Sequence, residues 1–308
     1  MPNPFPTPEP PPSSSPLPKL DLRSDAELAP NIAAIANLAK GKVGVAAVVL
    51  ETGECVTLNA DQHFPMQSVY KLPIAMAIME QVRRGDLGLD EEIGVTTDDM
   101  VRQGQRSPLR DANPKGGEFS VRELIRLALV ESDGTASDVL MRVAGGAPAV
   151  QSYLSQIGIW DMKVANTEKE MGKAWETQYQ NWATPMAAVE LLRHLDSSAD
   201  HWHPPNLDQD LNESQLLLQF MFQSTPGAAR IKGQLPLKAP VSVVAHKTGT
   251  SGTQSGITAA TNDIGIIYLP NGKRLAIAVF VSDSPADEKT REAVIAKIAK
   301  AVWDKFSN

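Results

Sequence analysis

Apolar and polar positions divide the chain into three stretches of different periodicity. The first stretch has helical spacing over residues 25–40 and continues as two β-type runs over residues 43–50 and 55–58. A Thr-Gly-Glu turn between these two runs predicts a hairpin. The middle stretch has mostly helical spacing, and its predicted helices cover residues 68–84, 121–132, 135–143, 147–157, 184–195 and 214–222.

The last stretch returns to strands and ends with a helix. Strands are predicted over residues 241–246, 263–269 and 274–281, the last two joined across a Pro-Asn-Gly turn. Ser284 is the predicted cap of the closing helix and Pro285 its first residue, because serine and proline favour these two positions.

A helix and strands at each end of the chain, separated by a long helical block, indicate an α/β (α+β) fold whose outer parts share one sheet. We therefore assign residues 22–62 and 223–308 to an α/β domain and residues 63–222 to an inserted all-α domain. A site is expected in the cleft between them. Residues 1–21 are a proline-rich lead, predicted to be a disordered or extended linker because this composition cannot pack a core.

Composition narrows the possible functions. The 308 residues carry a net charge of −7, which disfavours nucleic acid and anionic membranes as partners. The single cysteine, Cys55, allows neither an intrachain disulfide nor a cysteine-based metal site. No run approaches the ~20 apolar residues of a membrane span. His201 and His203 stand in a proline-rich loop, where solvated histidines are commoner than metal ligands, so no metal or cofactor is expected.

Candidate chemistry begins at Ser68-x-x-Lys71, just before an apolar helical run. If Ser68 opens that helix, Lys71 lies one turn further on the same face. A serine hydroxyl becomes a nucleophile when an adjacent base takes its proton, and a partly desolvated lysine is such a base. Taken alone, this spacing is more often a capping serine followed by a solvated lysine.

Three further stretches of the sequence favour the catalytic interpretation of Ser68 and Lys71 over the capping one. Ser132-Asp133 lies at the junction of two helices, and Lys247-Thr248-Gly249 ends a strand. Each would be an ordinary turn in isolation. A long irregular segment around Glu168 is the third, and such segments inside compact domains are often functional.

S-x-x-K, S-D-x and K-T-G occur here in the order found in penicillin-recognising serine enzymes. From residue 22 to residue 308 the sequence resembles a class A β-lactamase. The stretches at residues 64–69, 107–111, 178–182, 230–233 and 246–253 resemble the extended-spectrum PER-like and VEB-like branch. The resemblance implies a mostly antiparallel five-stranded sheet flanked by terminal helices, with an inserted all-α domain.

The resemblance also implies roles in catalysis. Ser68 would be the acylated nucleophile and Lys71 its general base or proton shuttle. Ser132 would pass a proton to the β-lactam nitrogen as it leaves. Glu168 would activate the hydrolytic water. Glu168 is preferred over Glu170 because it lies three residues before Met171, as the branch pattern requires.

Substrate binding is implied for a second group. Lys247, Thr248 and Thr250 would hold the substrate carboxylate, and the backbone N–H groups of Ser68 and Thr250 would form the oxyanion hole. Arg230 is expected beside Thr248 as a second cation. The complete implied substrate-binding set is Gln67, Thr248, Gly249, Thr250, Ser251 and Arg230.

The chain departs from the family pattern at several positions. Gly134 replaces the usual asparagine of S-D-N, which leaves the substrate profile open. Gly172 stands where an asparagine usually helps the glutamate to hold the water. Asn166 and Asn181 replace the usual arginine–aspartate bridge of that loop, which is therefore expected to be held differently.

Related functions stay open at this point. A D-Ala-D-Ala peptidase shares the serine, the lysine and K-T-G but lacks the deacylating glutamate, and a β-lactam sensor stays acylated. A catalytically inactive binding module is disfavoured by the complete set of polar groups. The expected enzyme is a periplasmic or secreted monomer that acts on a small β-lactam substrate.

Overall fold

The computed structural model describes residues 15–200, 211–236 and 243–307. Predictions for the proline-rich lead before residue 15 and for His201 and His203 lie outside these residues. The α-helices of the described ranges are α1 (Leu28–Ala36), α2 (Lys71–Arg84), α3 (Pro108–Ala112), α4 (Val121–Val130), α5 (Gly134–Ala144), α6 (Ala147–Gln156), α7 (Glu168–Met171), α8 (Pro185–Ser198), α9 (Glu213–Phe222) and α10 (Glu288–Phe306). Short 3₁₀ turns cover Asn37–Ala39, Gln67–Tyr70, Trp175–Gln180 and Ile231–Gln234.

Strands occur at both ends of the chain and in short pairs between the helices. They are β1 (Arg23–Ser24), β2 (Lys42–Val49), β3 (Glu54–Leu58), β4 (Phe64–Pro65), β5 (Glu92–Val95), β6 (Gly117–Ser120), β7 (Met162–Lys163), β8 (Trp182–Ala183), β9 (Val243–Thr250), β10 (Thr253–Gln254), β11 (Ile257–Tyr268) and β12 (Arg274–Ser284).

One sheet joins the two ends of the chain. Its strand order is β1-β3-β2-β12-β11-β10, and β9 also pairs with β11. Every pairing is antiparallel except β1 with β3. The predicted mixed fold with a mostly antiparallel sheet is therefore confirmed. The described part of this sheet has seven strands rather than five, because β1 and β10, with two residues each, are too short to leave a period-two pattern.

Alternate residues of β2 enter two different cores. Val45 and Ala47 pack with α1 and α10, whereas Ala46 and Val48 pack with the helices of the central stretch. Successive side chains of a strand point to opposite faces, so the sheet is buried on both sides. This explains why β2 is almost continuously apolar. The domain boundaries at residues 62/63 and 222/223 stay a prediction.

Two helix starts differ from the predictions. Asp287 caps α10 by accepting a hydrogen bond from Thr290 N at 2.8 Å. Ser284 instead ends β12, opposite Thr258, so it was wrongly predicted as the cap. Ser68 lies in the 3₁₀ turn Gln67–Tyr70, and α2 begins only at Lys71. No helix in the described ranges is long and apolar enough to cross a membrane.

Candidate active site

Ser68 lies on the wall of a cavity of about 790 Å³. The cavity separates the end of β9 from the turns that join the central helices. Lys247, Gly249 and Arg230 do not line it, although Lys247 and Arg230 contact residues that do. The predicted site residues that line it are Gln67, Ser68, Lys71, Ser132, Glu168, Thr248, Thr250 and Ser251.

Two strands hold the backbone that precedes Ser68. A Cβ atom at Gly249 would lie 2.3 Å from Met66 O, so β9 can approach this closely only with glycine there. From β11, the Nδ2 of Asn262 donates to Pro65 O at 2.7 Å and to Met66 O at 3.1 Å. The turn that carries Ser68 is therefore fixed against the sheet.

Lys71 connects two other parts of the site. Its side chain is 1% exposed, and its Nζ donates to Ser132 O at 2.8 Å and lies 3.3 Å from Glu168 Oε2. In the described ranges no hydrogen bond joins Lys71 to the Ser68 hydroxyl. Such contacts are often long in enzymes without substrate. A buried amine at this position can exchange a proton with the glutamate.

Two lysines bind Ser132, Lys71 at its backbone carbonyl oxygen and Lys247 at its side-chain hydroxyl. Its φ is +58°, an uncommon backbone conformation for a residue with a side chain. Lys247 Nζ donates to Ser132 Oγ at 2.9 Å. Burial first, and the positive charge of Lys71 second, lower the pKa of Lys247 well below its usual value. Lys247 thus contacts the Ser132 hydroxyl, and Lys71 fixes the backbone carbonyl of the same residue.

The two glutamates of the irregular segment have different surroundings. Glu168 opens α7, lines the cavity and faces Lys71. Glu170 points back to the start of the same helix, where its Oε2 accepts from Thr167 N at 2.9 Å and Thr167 Oγ1 at 3.1 Å. This capping box binds one oxygen of the Glu170 carboxylate and turns the side chain toward the start of its own helix. Glu168 is therefore the carboxylate available to chemistry in the cavity.

Asp138 is a site residue that the sequence analysis missed. Its carboxylate lies 9% exposed on α5 and accepts the N–H groups of Glu168 at 2.6 Å and Lys169 at 2.9 Å. Burial, the largest cause, and the nearby charge of Glu168 raise the pKa of Asp138 to about 7. No residue pattern marked Asp138 in the sequence, because it binds backbone N–H groups rather than a side chain.

The buried side-chain amide of Asn181 joins the two ends of the irregular segment around Glu168. The Oδ1 of Asn181 accepts the N–H groups of Ala165 and Asn166, each at 2.8 Å, and its Nδ2 donates to Asn166 O at 2.8 Å. Asn166 adds a bond from its Nδ2 to Gln180 Oε1 at 3.0 Å. The two ends of the segment are thus joined by neutral hydrogen bonds between these asparagines.

Arg230 supports the wall of the cavity from behind. It is 3% exposed, and its polar contacts in the described ranges are with Gly249, Thr250, Asn262 and Glu292 rather than with Thr248. Its Nη2 donates to Thr250 Oγ1 at 2.8 Å, and its Nε lies 3.0 Å from Glu292 Oε1 on α10. The guanidinium can therefore orient Thr250 and place positive charge beneath the cavity.

A second buried contact behind β9 was also missed. His246 Nδ1 lies 2.9 Å from both oxygens of Asp263, whose Oδ2 accepts Ile231 N at 3.1 Å. Asp263 therefore ties the strand of Lys247 to the segment that carries Arg230. Within the described ranges no three histidine, cysteine or acidic residues are grouped so as to hold a metal ion.

S-x-x-K, S-D-x and K-T-G thus meet around one cavity, at the edge of a mostly antiparallel sheet that is covered by helices. This combination of fold and motifs defines the class of penicillin-recognising serine enzymes.

The chain belongs to the β-lactamase enzyme family, which it matches over residues 27–306. It is 37% identical to β-lactamase VEB-1 of Pseudomonas aeruginosa over 277 residues, covering 89% of either protein. It is 38% identical to the extended-spectrum β-lactamase PER-1 of Pseudomonas aeruginosa over 268 residues, which cover 86% of this chain and 82% of PER-1.

Solved structures agree with these relatives. A β-lactamase from Chitinophaga pinensis is 39% identical and superposes with a TM-score of 0.83, covering 91% of this chain and 99% of that one. The chain is therefore a class A serine β-lactamase, an enzyme that hydrolyses β-lactams.

Proposed function

We propose that this enzyme hydrolyses the β-lactam amide of penicillins and cephalosporins through an acyl-enzyme on Ser68, which water activated by Glu168 then releases. Lys71 serves as the base or proton shuttle for Ser68, and Ser132 protonates the leaving nitrogen. Thr248 and Thr250, which line the cavity, hold the substrate carboxylate together with the positive charge of Lys247, and the charge of Arg230 lies behind them.

The position of Glu168 carries this proposal. Its carboxylate faces Lys71 Nζ at 3.3 Å and lines the same cavity as Ser68, whereas the capping box occupies Glu170. A D-Ala-D-Ala peptidase or a β-lactam sensor needs no such carboxylate, because its acyl-enzyme is not rapidly hydrolysed. A base aimed at that ester favours a hydrolase over both alternatives.

Paired variants test the proposal. Glu168→Gln keeps the shape of the side chain but removes the base, which should slow release by roughly 10²–10⁴-fold. A penicillin adduct on Ser68 should then accumulate and be visible by mass spectrometry. Glu170→Gln is the matched control and should turn over almost normally. Ser68→Ala should show neither adduct nor hydrolysis.

Two other results would contradict the assignment. If Glu170→Gln accumulates adduct and Glu168→Gln does not, Glu170 is the base. If the wild-type protein itself stays acylated, the enzyme is a sensor or peptidase.

We also infer a periplasmic or secreted monomer. β-Lactams act on enzymes of the cell envelope, so hydrolysis protects the cell when it occurs before the drug reaches them. Osmotic-shock fractionation of the native host should release the protein with periplasmic markers, and light scattering should give a mass near 33 kDa. Recovery with cytoplasmic markers, or a dimer mass, would refute these two inferences.

A further inference from the structure

We propose that Gln105 is a positioning residue for Glu168, and that it occupies the space that a side chain at position 172 would otherwise fill. This inference rests on the proposed role of Glu168 in deacylation.

Glu168 is held through its backbone from two sides. Its N–H donates to Asp138 Oδ1 at 2.6 Å, and its carbonyl oxygen accepts from Gln105 Nε2. α7 has only four residues, so its first residue gains little support from the helix itself. The orientation of the Glu168 peptide therefore depends on these two side chains from other segments.

Gln105 and Gly172 have complementary shapes. A Cβ atom at Gly172 would lie 2.7 Å from Gln105 Nε2 and 2.9 Å from Gln105 Cδ. The same Cβ atom would lie 3.0 Å from Arg102 Nε. A side chain at position 172 would therefore displace the carboxamide of Gln105 from its present position. The absence of a side chain at Gly172 makes room for the carboxamide of Gln105, which comes from a distant segment of the chain.

The Gln105 carboxamide is fixed by its surroundings. Its Oε1 is buried and has no hydrogen-bond partner in the described ranges. The contact with Gly172 and the bond from Nε2 to Glu168 O are the interactions that position the amide. Both Gln105 and Gly172 line the cavity of Ser68.

A buried arginine makes the segment that presents Gln105 rigid. Arg110 Nη1 donates to the carbonyl oxygens of Val101 at 3.1 Å, Arg102 at 2.7 Å and Gln105 at 3.1 Å. Three carbonyls bound to one guanidinium nitrogen fix the turn before α3. Gln105 therefore starts from a well-defined backbone position when it reaches Glu168.

A double-mutant cycle of Gln105→Ala and Gly172→Asn tests the proposal. Gln105→Ala should slow deacylation about tenfold while changing kcat/KM, which reports acylation, less than about threefold. Gly172→Asn should slow deacylation as well, because its side chain collides with Gln105. The φ of Gly172 is −71°, so the backbone itself accepts asparagine. The double variant should recover to within a few-fold of wild type.

Two further variants separate hydrogen bonding from other effects. Gln105→Met keeps the length but cannot donate to Glu168 O, and it should resemble Gln105→Ala. Gln103→Ala, at an exposed glutamine two residues away, is the matched control and should behave as wild type. The readout is the lifetime of the acyl-enzyme by quench and mass spectrometry, which a general loss of stability would not lengthen.

Wild-type deacylation in Gln105→Ala or in Gln105→Met would overturn the proposal. A double variant as slow as the slower single variant, or slower, would overturn it too. If Glu168→Gln accumulates adduct while Gln105→Ala does not, only this inference fails. If Glu168→Gln accumulates none, the proposed role of Glu168 fails first.

Discussion

Lys247 Nζ donates to Ser132 Oγ at 2.9 Å, although 115 residues separate them in sequence. The contact joins β9 to the turn between α4 and α5, and Lys71 holds the carbonyl of the same serine. Two amines therefore share one buried residue. This arrangement makes the charge of Lys247 sensitive to pH.

Lys247 should limit activity at alkaline pH. Burial and the charge of Lys71 lower the pKa of Lys247 from its usual value of 10.5. As pH rises, Lys247 therefore loses its positive charge at a lower pH than an ordinary lysine does. In the proposed function the charge of Lys247 attracts the substrate carboxylate, so kcat/KM should fall at alkaline pH, mainly through KM. In Lys247→Arg, which stays charged, the fall should move to higher pH. An alkaline limb at the same pH in both enzymes would assign it to another group.

Arg230→Ala should reduce both stability and substrate capture. The change leaves Glu292 without its partner and removes the donor to Thr250. Breaking a buried ion pair costs up to about 3–5 kcal/mol of unfolding free energy, which urea denaturation would measure, and KM for penicillins should rise. Arg122→Ala, which breaks the exposed pair with Asp90, is the control and should cost about 0–1 kcal/mol. Lost stability with an unchanged KM would restrict Arg230 to a structural role.

Gly134→Ala should slow release of product. A Cβ atom there would lie 2.8 Å from Glu168 Cγ and 3.1 Å from Arg106 O. Carbon atoms cannot approach so closely, so the Glu168 side chain must move away from its present position. We expect kcat to fall about tenfold with adduct accumulating, since a small displacement of a catalytic group is costly. Gly88→Ala, at an exposed glycine that does not line the cavity and has no positive φ, is a control for the added methyl group. Unchanged release in Gly134→Ala would show that Glu168 has room to adjust.

Much of this site could be predicted because its reactive residues occur in short motifs. Ser68, Lys71 and Ser132 line one cavity, and runs of β-branched and apolar residues located the five long strands. The cap of α10 could not be assigned from sequence, because Ser284 and Asp287 are both good caps. Pairing of Ser284 with Thr258 in the sheet decided between them.

The supporting residues were invisible for a different reason. Asp138 and Gln105 bind the backbone of Glu168 across 30 and 63 residues of sequence. A side chain that binds a backbone N–H or carbonyl places no constraint on the identity of its partner, so no residue pattern records it. From the sequence, Gly172 indicated only a missing asparagine side chain. The residue that fills this space, Gln105, belongs to another segment and could not be identified from the sequence.

The stability of the fold should depend on pH through Asp138. Its folded pKa of about 7 lies above the usual value of 3.8. A raised folded pKa means that the contribution to stability is complete below the unfolded pKa and is lost as pH rises through the folded one. Replacing Asp138 by asparagine keeps the shape but removes the titration. The unfolding free energy of wild type, minus that of Asp138→Asn, should therefore fall between about pH 4 and pH 7.

Three pKa units correspond to about 4 kcal/mol, which sets the upper limit of this fall. Urea denaturation of both proteins at several pH values measures it. Asp196→Asn is a suitable second comparison, because that buried carboxylate is paired with Arg274 at 2.5 Å. The difference between wild type and Asp196→Asn should not show the same fall between about pH 4 and pH 7. A difference between wild type and Asp138→Asn that stays constant from pH 4 to pH 8 would mean that the two backbone N–H groups of α7 stabilise the carboxylate enough to cancel the effect of its burial.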